Sequence, residues 1–141
     1  MHNKTLPKIY HFIDDLNTEN ISNYNRDICI IYRNYKSRIN VEKLVNFKKL
    51  CKKFKIKFLI SNEIDLAFKL KLDGVYLPSF NKNLNHKKFQ YIKNFLIIGS
   101  AHTLKEIRIK EKQNVEQIFL SPIFKTKKTN KILGIFGFNN L

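Results

Sequence analysis

The sequence predicts an α/β protein built on a parallel sheet. Three observations lead there. Short apolar runs alternate with longer helical patterns, at about 20 to 30 residues per unit from Asp27 onward. Most of the runs are apolar at successive positions rather than at alternate ones, as strands buried on both faces require. The residues that follow the runs are polar five times in succession.

In order, the predicted strands are residues 8–13 (KIYHFI), 27–32 (DICIIY), 57–60 (KFLI), 74–77 (GVYL), 95–98 (FLII) and 115–120 (VEQIFL). The helix at 40–54 places Val41, Leu44, Val45, Phe47 or Lys48, and Cys51 along one stripe, with Asn40 as its cap. A shorter helix covers 63–70, and another 86–93. The helix at 103–112 opens on a capping-box pattern, Thr103 followed by Glu106. Residues 17–24 carry the weakest helical pattern, and 124–141 show no further strand of normal quality. Strand–helix alternation implies right-handed crossovers and a parallel sheet. Pattern alone leaves a doubly wound sheet and a barrel both open.

At 141 residues the chain is read as a single domain, 1–141. A complete eight-fold barrel needs at least about 200 residues. The net charge of +16 first suggests an anionic partner. However, 23 of the 27 basic residues are Lys, spread over nearly the whole chain, and only four are Arg. Lys lacks the planar fork that base and phosphate recognition favours. Abundant Asn, Ile, Phe and Lys is the signature of an AT-rich coding sequence, so a solvated basic surface is expected and no nucleic-acid partner. Cys29 and Cys51 form no CxxC pattern and read as buried, inert thiols. Residues 1–7 lack the apolar core of a signal peptide, and no apolar run approaches membrane-spanning length. A cytoplasmic protein with no membrane partner is expected.

In parallel α/β folds, ligands sit at the carboxyl ends of the strands. The residues there are Arg33-Asn34-Tyr35-Lys36, Ser61-Asn62-Glu63, Pro78-Ser79-Phe80-Asn81, Gly99-Ser100-Ala101-His102-Thr103 and Ser121-Pro122, followed by Lys125-Thr126. They provide cations and hydroxyls for an anion, one carboxylate, and one His for proton transfer. Each also has a plainer reading. His102, Ser100 and Thr103 can be helix-capping or surface residues, Glu63 can complement a helix N-terminus, and Arg33 can be a surface ion pair.

Three segments carry a resemblance. Asn62-Glu63-Ile64-Asp65-Leu66-Ala67 with Asp73-Gly74-Val75-Tyr76-Leu77 is similar to a stretch written ND-x-x-DLA … ADGVHLG. Gly99-Ser100-Ala101-His102-Thr103-Leu104-Lys105-Glu106 is similar to G-x-S-x-H-[ST]-x-E-E, and Pro122-Ile123-Phe124-Lys125-Thr126 with Leu133-Gly134 to G-P-[IV]-F-x-T … LG. Arg33 stands at the Arg of QLREK. In this order and spacing, over residues 8–134, the chain resembles the thiamine phosphate synthase/TenI (thiazole tautomerase) family.

The resemblance implies a (β/α) TIM-barrel-like fold of about six βα units, an incomplete barrel lacking the last two. It implies a role in thiamine biosynthesis: hydroxymethylpyrimidine diphosphate joined to thiazole phosphate, with release of diphosphate and with Mg2+ as cofactor. By position, Arg33, Lys36 and Asn62 would bind the pyrimidine diphosphate. Ser100 and Thr126 would lie near diphosphate or thiazole phosphate, and Glu63 and Asn81 at the metal. In the tautomerase branch, the residue at His102 shuttles a proton. The alternatives are a thiazole or pyrimidine phosphate-binding protein of reduced catalytic power, and a non-enzymatic barrel remnant. A six-unit barrel leaves sheet edges open, so a homo-oligomer is an expected partner state. The sequence departs from the pattern at Ile31 for Gln, Tyr35 for Lys with Lys36 adjacent, Glu63 for Asp, and Asn81 for an acidic residue.

Overall fold

The computed structural model of the chain describes residues 6–19, 21–24, 27–85, 89 and 91–124. Six strands follow one another: β1 Ile9–Ile13, β2 Ile28–Tyr32, β3 Lys57–Ser61, β4 Gly74–Leu77, β5 Leu96–Ala101 and β6 Gln117–Leu120. Three helices lie between them: α1 Val41–Lys53, α2 Ile64–Lys69 and α3 Leu104–Lys112. The strands are hydrogen-bonded in chain order. Sequential order in a parallel sheet is what repeated right-handed βα units produce. The described residues form two compact units, and the division runs through β4, after Val75.

In the first unit β1, β2 and β3 pair in parallel, with Ile9 opposite Ile28 and Cys29 opposite Lys57. Cys29, Ile30 and Ile31 of β2 and Phe58 and Leu59 of β3 are fully buried, the double-sided burial anticipated from their continuous apolar runs. α1 closes one face with Leu44, Phe47 and Cys51, and the Phe47 and Phe58 rings meet at 4.9 Å. Asn40 caps the helix by accepting the Lys43 N–H at 3.0 Å. Lys55 (φ 59°) follows α1 and Lys71 (φ 52°) follows α2, both in the left-handed region that helix ends ordinarily fill with glycine. Asp73 ties the next strand to β3 in both directions. Its N–H donates to Phe58 O at 3.1 Å and its carboxylate accepts the Phe58 N–H at 2.9 Å.

The second unit repeats this device. Glu116 donates its N–H to Ile97 O at 2.7 Å and accepts the Ile97 N–H on its carboxylate at 3.2 Å, beside the β5–β6 pairing. All six residues of β5 are buried. Thr103 caps α3 as predicted, its Oγ accepting the Glu106 N–H at 3.2 Å, while the Glu106 carboxylate reaches one residue beyond the cap and accepts the His102 N–H at 2.6 Å.

The structure differs from the sequence reading in three places. The segment 17–24 holds only a 3-10 turn, Ile21–Asn23. The helix predicted at 86–93 falls partly outside the described residues, and Tyr91 to Asn94 form turns. β5 runs on through Gly99, Ser100 and Ala101, which read as loop because they are small and polar. Their smallness has a packing cause. A Cβ on Gly99 would stand 2.8 Å from Leu77 O and 3.1 Å from Lys110 Cδ, so only glycine leaves room for the lysine stem. The segment 124–141 lies outside the described residues after Phe124.

Two expectations follow. Gly99→Ala should destabilise the fold by ~1–3 kcal/mol, because the Leu77 carbonyl is backbone and cannot yield; urea denaturation checks it. Burial, and secondarily the Asp73 carboxylate, pushes the Cys51 thiol up to about 12 and raises Cys29 as well. Neither should react with a maleimide at pH 8 in the native protein, and both should react in denaturant.

Candidate functional site

In the first unit the carboxyl ends of β2 and β3 carry the predicted residues. The Arg33 N–H continues the ladder to Ile13 O at 2.8 Å, and its guanidinium lies 4.7 Å from the centre of the Phe12 ring. Asn34 shapes the loop that follows. Its amide donates to Asp14 O at 2.8 Å, and its Oδ1 accepts the N–H groups of Lys36 and Ser37 at 2.9 and 3.3 Å. Tyr35 Oη and Ser61 Oγ share a hydrogen bond of 2.6 Å, which pins the loop to the end of β3. Asn62 turns the chain out of β3 with φ 67°, a conformation Asn tolerates better than most residues. Glu63 then starts α2 without using its side chain as a cap.

The result is a cavity of about 450 Å³ lined by Asn34, Tyr35, Ser37, Arg38, Ile39 and Glu63. It brings Glu63 together with the loop after β2. Arg33 and Lys36 are exposed beside that loop, outside the lining. One guanidinium, one carboxylate, an amide and two hydroxyls suit a ligand that combines a polar ring with an anionic group.

In the second unit, the Tyr76 hydroxyl donates to Ser100 Oγ at 2.7 Å, with both side chains buried. Tyr76 also packs against Phe119, ring centres 6.1 Å apart. His102 is exposed, and its Nδ1 faces the Ser121 carbonyl, with Ser121 Oγ at 3.4 Å. A carbonyl partner assigns the proton to Nδ1, so Nε2 is the basic nitrogen. Asn81 is held by the residue that caps α3 and by its own turn: its Oδ1 accepts from Gln113 Nε2 and from the Asn83 N–H, both at 3.0 Å. Thr126 lies outside the described residues.

α3 also buries a lysine. Lys110 is fully enclosed and donates to Pro78 O at 2.8 Å, Asn81 O at 2.9 Å and Gln113 Oε1 at 2.9 Å. Gln113 Nε2 adds bonds to Asn81 O at 3.1 Å and Asn83 O at 2.9 Å. The segment that leaves β4 is therefore shaped by Lys110 of α3 and by Gln113, the residue that caps the helix C-terminus. Burial pushes the Lys110 ammonium down to about 8, against the upward effect of the Glu106 carboxylate. The protonated amine supplies one hydrogen for each of its three acceptors.

Among the described residues, no three of His, Cys, Asp and Glu come together as a metal site. The Asn81 amide oxygen already accepts two hydrogen bonds. Glu63 is the hard oxygen donor on the cavity wall.

Tyr76, Arg38, Lys110 and Gln113 were not singled out from the sequence. Helical phase was the available signal for the last two. Lys110 and Gln113 follow Ile107 by three and six positions, on one face, where a buried polar pair needs partners.

Comparison with known proteins extends this picture. The sequence profile described as thiamine monophosphate synthase matches residues 27–141. A putative thiamine-phosphate synthase 2 of Aquifex aeolicus is 39% identical over 83 residues, covering 55% of this chain and 41% of that protein. A thiamine-phosphate synthase of Bacillus mycoides is 28% identical over 103 residues, covering 68% and 47%. The chain spans about half the length of the curated relatives it matches, or less. Among solved structures, a thiamine phosphate pyrophosphorylase of Pyrococcus furiosus superposes with a TM-score of 0.63 at 18% identity, covering 95% of this chain and 68% of that one. With the strand order above, that likeness identifies the fold as the parallel (β/α) TIM-barrel type, six of whose strands are among the described residues.

Lys110→Met should destabilise the protein by ~3 kcal/mol, because the buried Pro78 O and Gln113 Oε1 lose their donor and Asn81 O loses one of its two. Folded Lys110 titrates near 8 and the unfolded residue near 10.5, so between those values the folded chain binds fewer protons. The stability difference between native protein and Lys110→Met should therefore grow as pH rises through that window. Denaturation at pH 7.5, 9 and 10.5 tests the sign, and the raised thiols, common to both proteins, cancel.

Proposed function

This chain belongs to the thiamine monophosphate synthase family, and from that premise we propose that it serves thiamine biosynthesis as a transferase. It would join hydroxymethylpyrimidine diphosphate to thiazole phosphate. The observation that carries this reading is the cavity at the ends of β2 and β3, where Glu63 meets the polar loop after Arg33.

In the reaction, the thiazole nitrogen attacks the pyrimidine methylene carbon. The carbon–oxygen bond to diphosphate breaks, the leaving group keeps the electron pair, and the ring nitrogen becomes cationic. No proton has to move. What the protein must do is steady negative charge on the departing diphosphate and hold two rings in line. In this proposal Arg33, Lys36 and Arg38 supply the positive charge. Asn62 and the Tyr35–Ser61 hydroxyl pair orient the pyrimidine. Ser100, positioned by Tyr76, and Thr126 receive phosphate. A magnesium ion would be held mainly by the diphosphate, with Glu63 as its protein ligand, and would neutralise leaving-group charge. Asn81 then shapes the segment after β4. The substrates are small and phosphorylated, and the protein would work in the cytoplasm. No described helix is long and apolar enough to cross a membrane.

A second reading has its own support. With Nδ1 on the Ser121 carbonyl, His102 presents Nε2 as a base, which suits the proton shuttle of a thiazole tautomerase. Self-association belongs to the proposal as well, since Ile9 on the end strand β1 is 51% exposed.

The decisive assay measures diphosphate release from the two substrates with magnesium. Arg33→Ala should lower kcat/KM by about a hundredfold, the scale of removing one donor from a developing anion. His102→Gln should leave the rate within about threefold. No release by a protein shown to be folded would overturn the synthase reading. Isomerisation of a thiazole phosphate that His102→Gln abolishes would replace it with the tautomerase reading.

A further inference from the structure

A second concavity in the first unit lies at the opposite, amino-terminal end of β3. It has a volume of about 530 Å³ and is lined by Lys48, Lys52, Lys55, Ile56, Lys57, Lys71 and Asp73. β3 begins at Lys57 and ends at Ser61, so about 13 Å of strand separates it from the residues discussed above. We propose that this lysine-lined cavity is a binding site for a small oligophosphate anion, either free or carried by a nucleotide.

Five lysines line it, from α1, from the turn after it, from the first residue of β3, and from the turn after α2. Asp73 is the single carboxylate in the lining, and its Oδ2 is already bonded to the Phe58 N–H. Lys48 directs one hydrogen to Leu70 O at 2.9 Å. Some of this positive charge complements the C-terminus of α1, but a helix end carries only about half a negative charge, against an excess of four positive ones. Lys48 and Lys52 are also four apart on one helix face, an unfavourable like-charge pair. Both turns bordering the cavity place Lys at left-handed positions where glycine would sit at lower cost. A multiply charged anion relieves all of these repulsions together. The volume falls within the small-molecule range of roughly 300–1,000 Å³, and Ile56 gives an apolar floor. A concave site of this size favours a compact ligand over a nucleic-acid backbone.

The test is calorimetric titration of the full chain with inorganic triphosphate, ATP and AMP at fixed ionic strength, in parallel with a single-stranded RNA oligonucleotide. Lys52, Lys55 and Lys71 are exposed, so the triple alanine variant should fold. It should bind triphosphate at least tenfold more weakly than the native chain. A control with Lys43, Lys105 and Lys112 changed to alanine carries the same change of net charge and should bind within twofold of native; Arg33→Ala, which removes a cation from the diphosphate site proposed above, reports any binding there. Equal binding of triphosphate and ATP, with weak AMP, would assign recognition to the phosphates; tighter ATP would assign part of it to the nucleoside. Equal weakening by the two triple variants, loss of binding in Arg33→Ala alone, no binding of triphosphate, or RNA bound more tightly than triphosphate would each overturn the proposal.

Discussion

The reciprocal clamp between an acidic residue and the preceding strand is the interaction on which the rest depends. A parallel sheet has no hairpins to set its register, and a slip of one residue exchanges the faces of every side chain. Asp73 on Phe58 and Glu116 on Ile97 prevent that slip by using N–H and carboxylate against one residue's C=O and N–H. They do so at the amino ends, where the next strand begins. Asp27 occupies the same place ahead of β2 in sequence. With register held there, strands buried on both faces can present their carboxyl ends at defined positions.

Those ends are then finished by side chains that owe little to the strands themselves. Around β2 and β3, the Asn34 turn and the Tyr35–Ser61 bond hold a loop against the start of α2. Beyond β4, the work falls to the buried Lys110 of α3, for which Gly99 makes room, and to Gln113 at the helix C-cap. A helix that buries Lys110 in place of an aliphatic residue exchanges packing for a rigidly specified chain path.

The strands and most of the helices were legible because their signals are local. Continuous apolar runs mark β2 and β3, Asn40 marks the start of α1, and Thr103 with Glu106 marks α3. Polar strand ends pointed to Arg33, Asn62, Glu63, Ser100 and His102. The same local logic misread Gly99 to Ala101 as loop, since small residues signal a turn unless a neighbouring stem requires them. It also read the lysines as a scattered solvent face. Lys48, Lys57 and Lys71 are far apart in sequence and share a cavity only through the packing of α1 and α2 beside β3.

The sequence by itself therefore determined the alternation of strand and helix, the parallel sheet, the family and the set of polar strand ends, because periodicity, caps and short motifs act within a few residues. Tertiary structure alone decided which of those polar groups meet. Glu63 reached the Asn34 loop, Asn81 was drawn into hydrogen bonds with Gln113, His102 acquired its tautomer from Ser121, and five lysines gathered at one end of β3. Each of these is a contact between residues distant in the chain, and only strand register and helix packing can set such contacts.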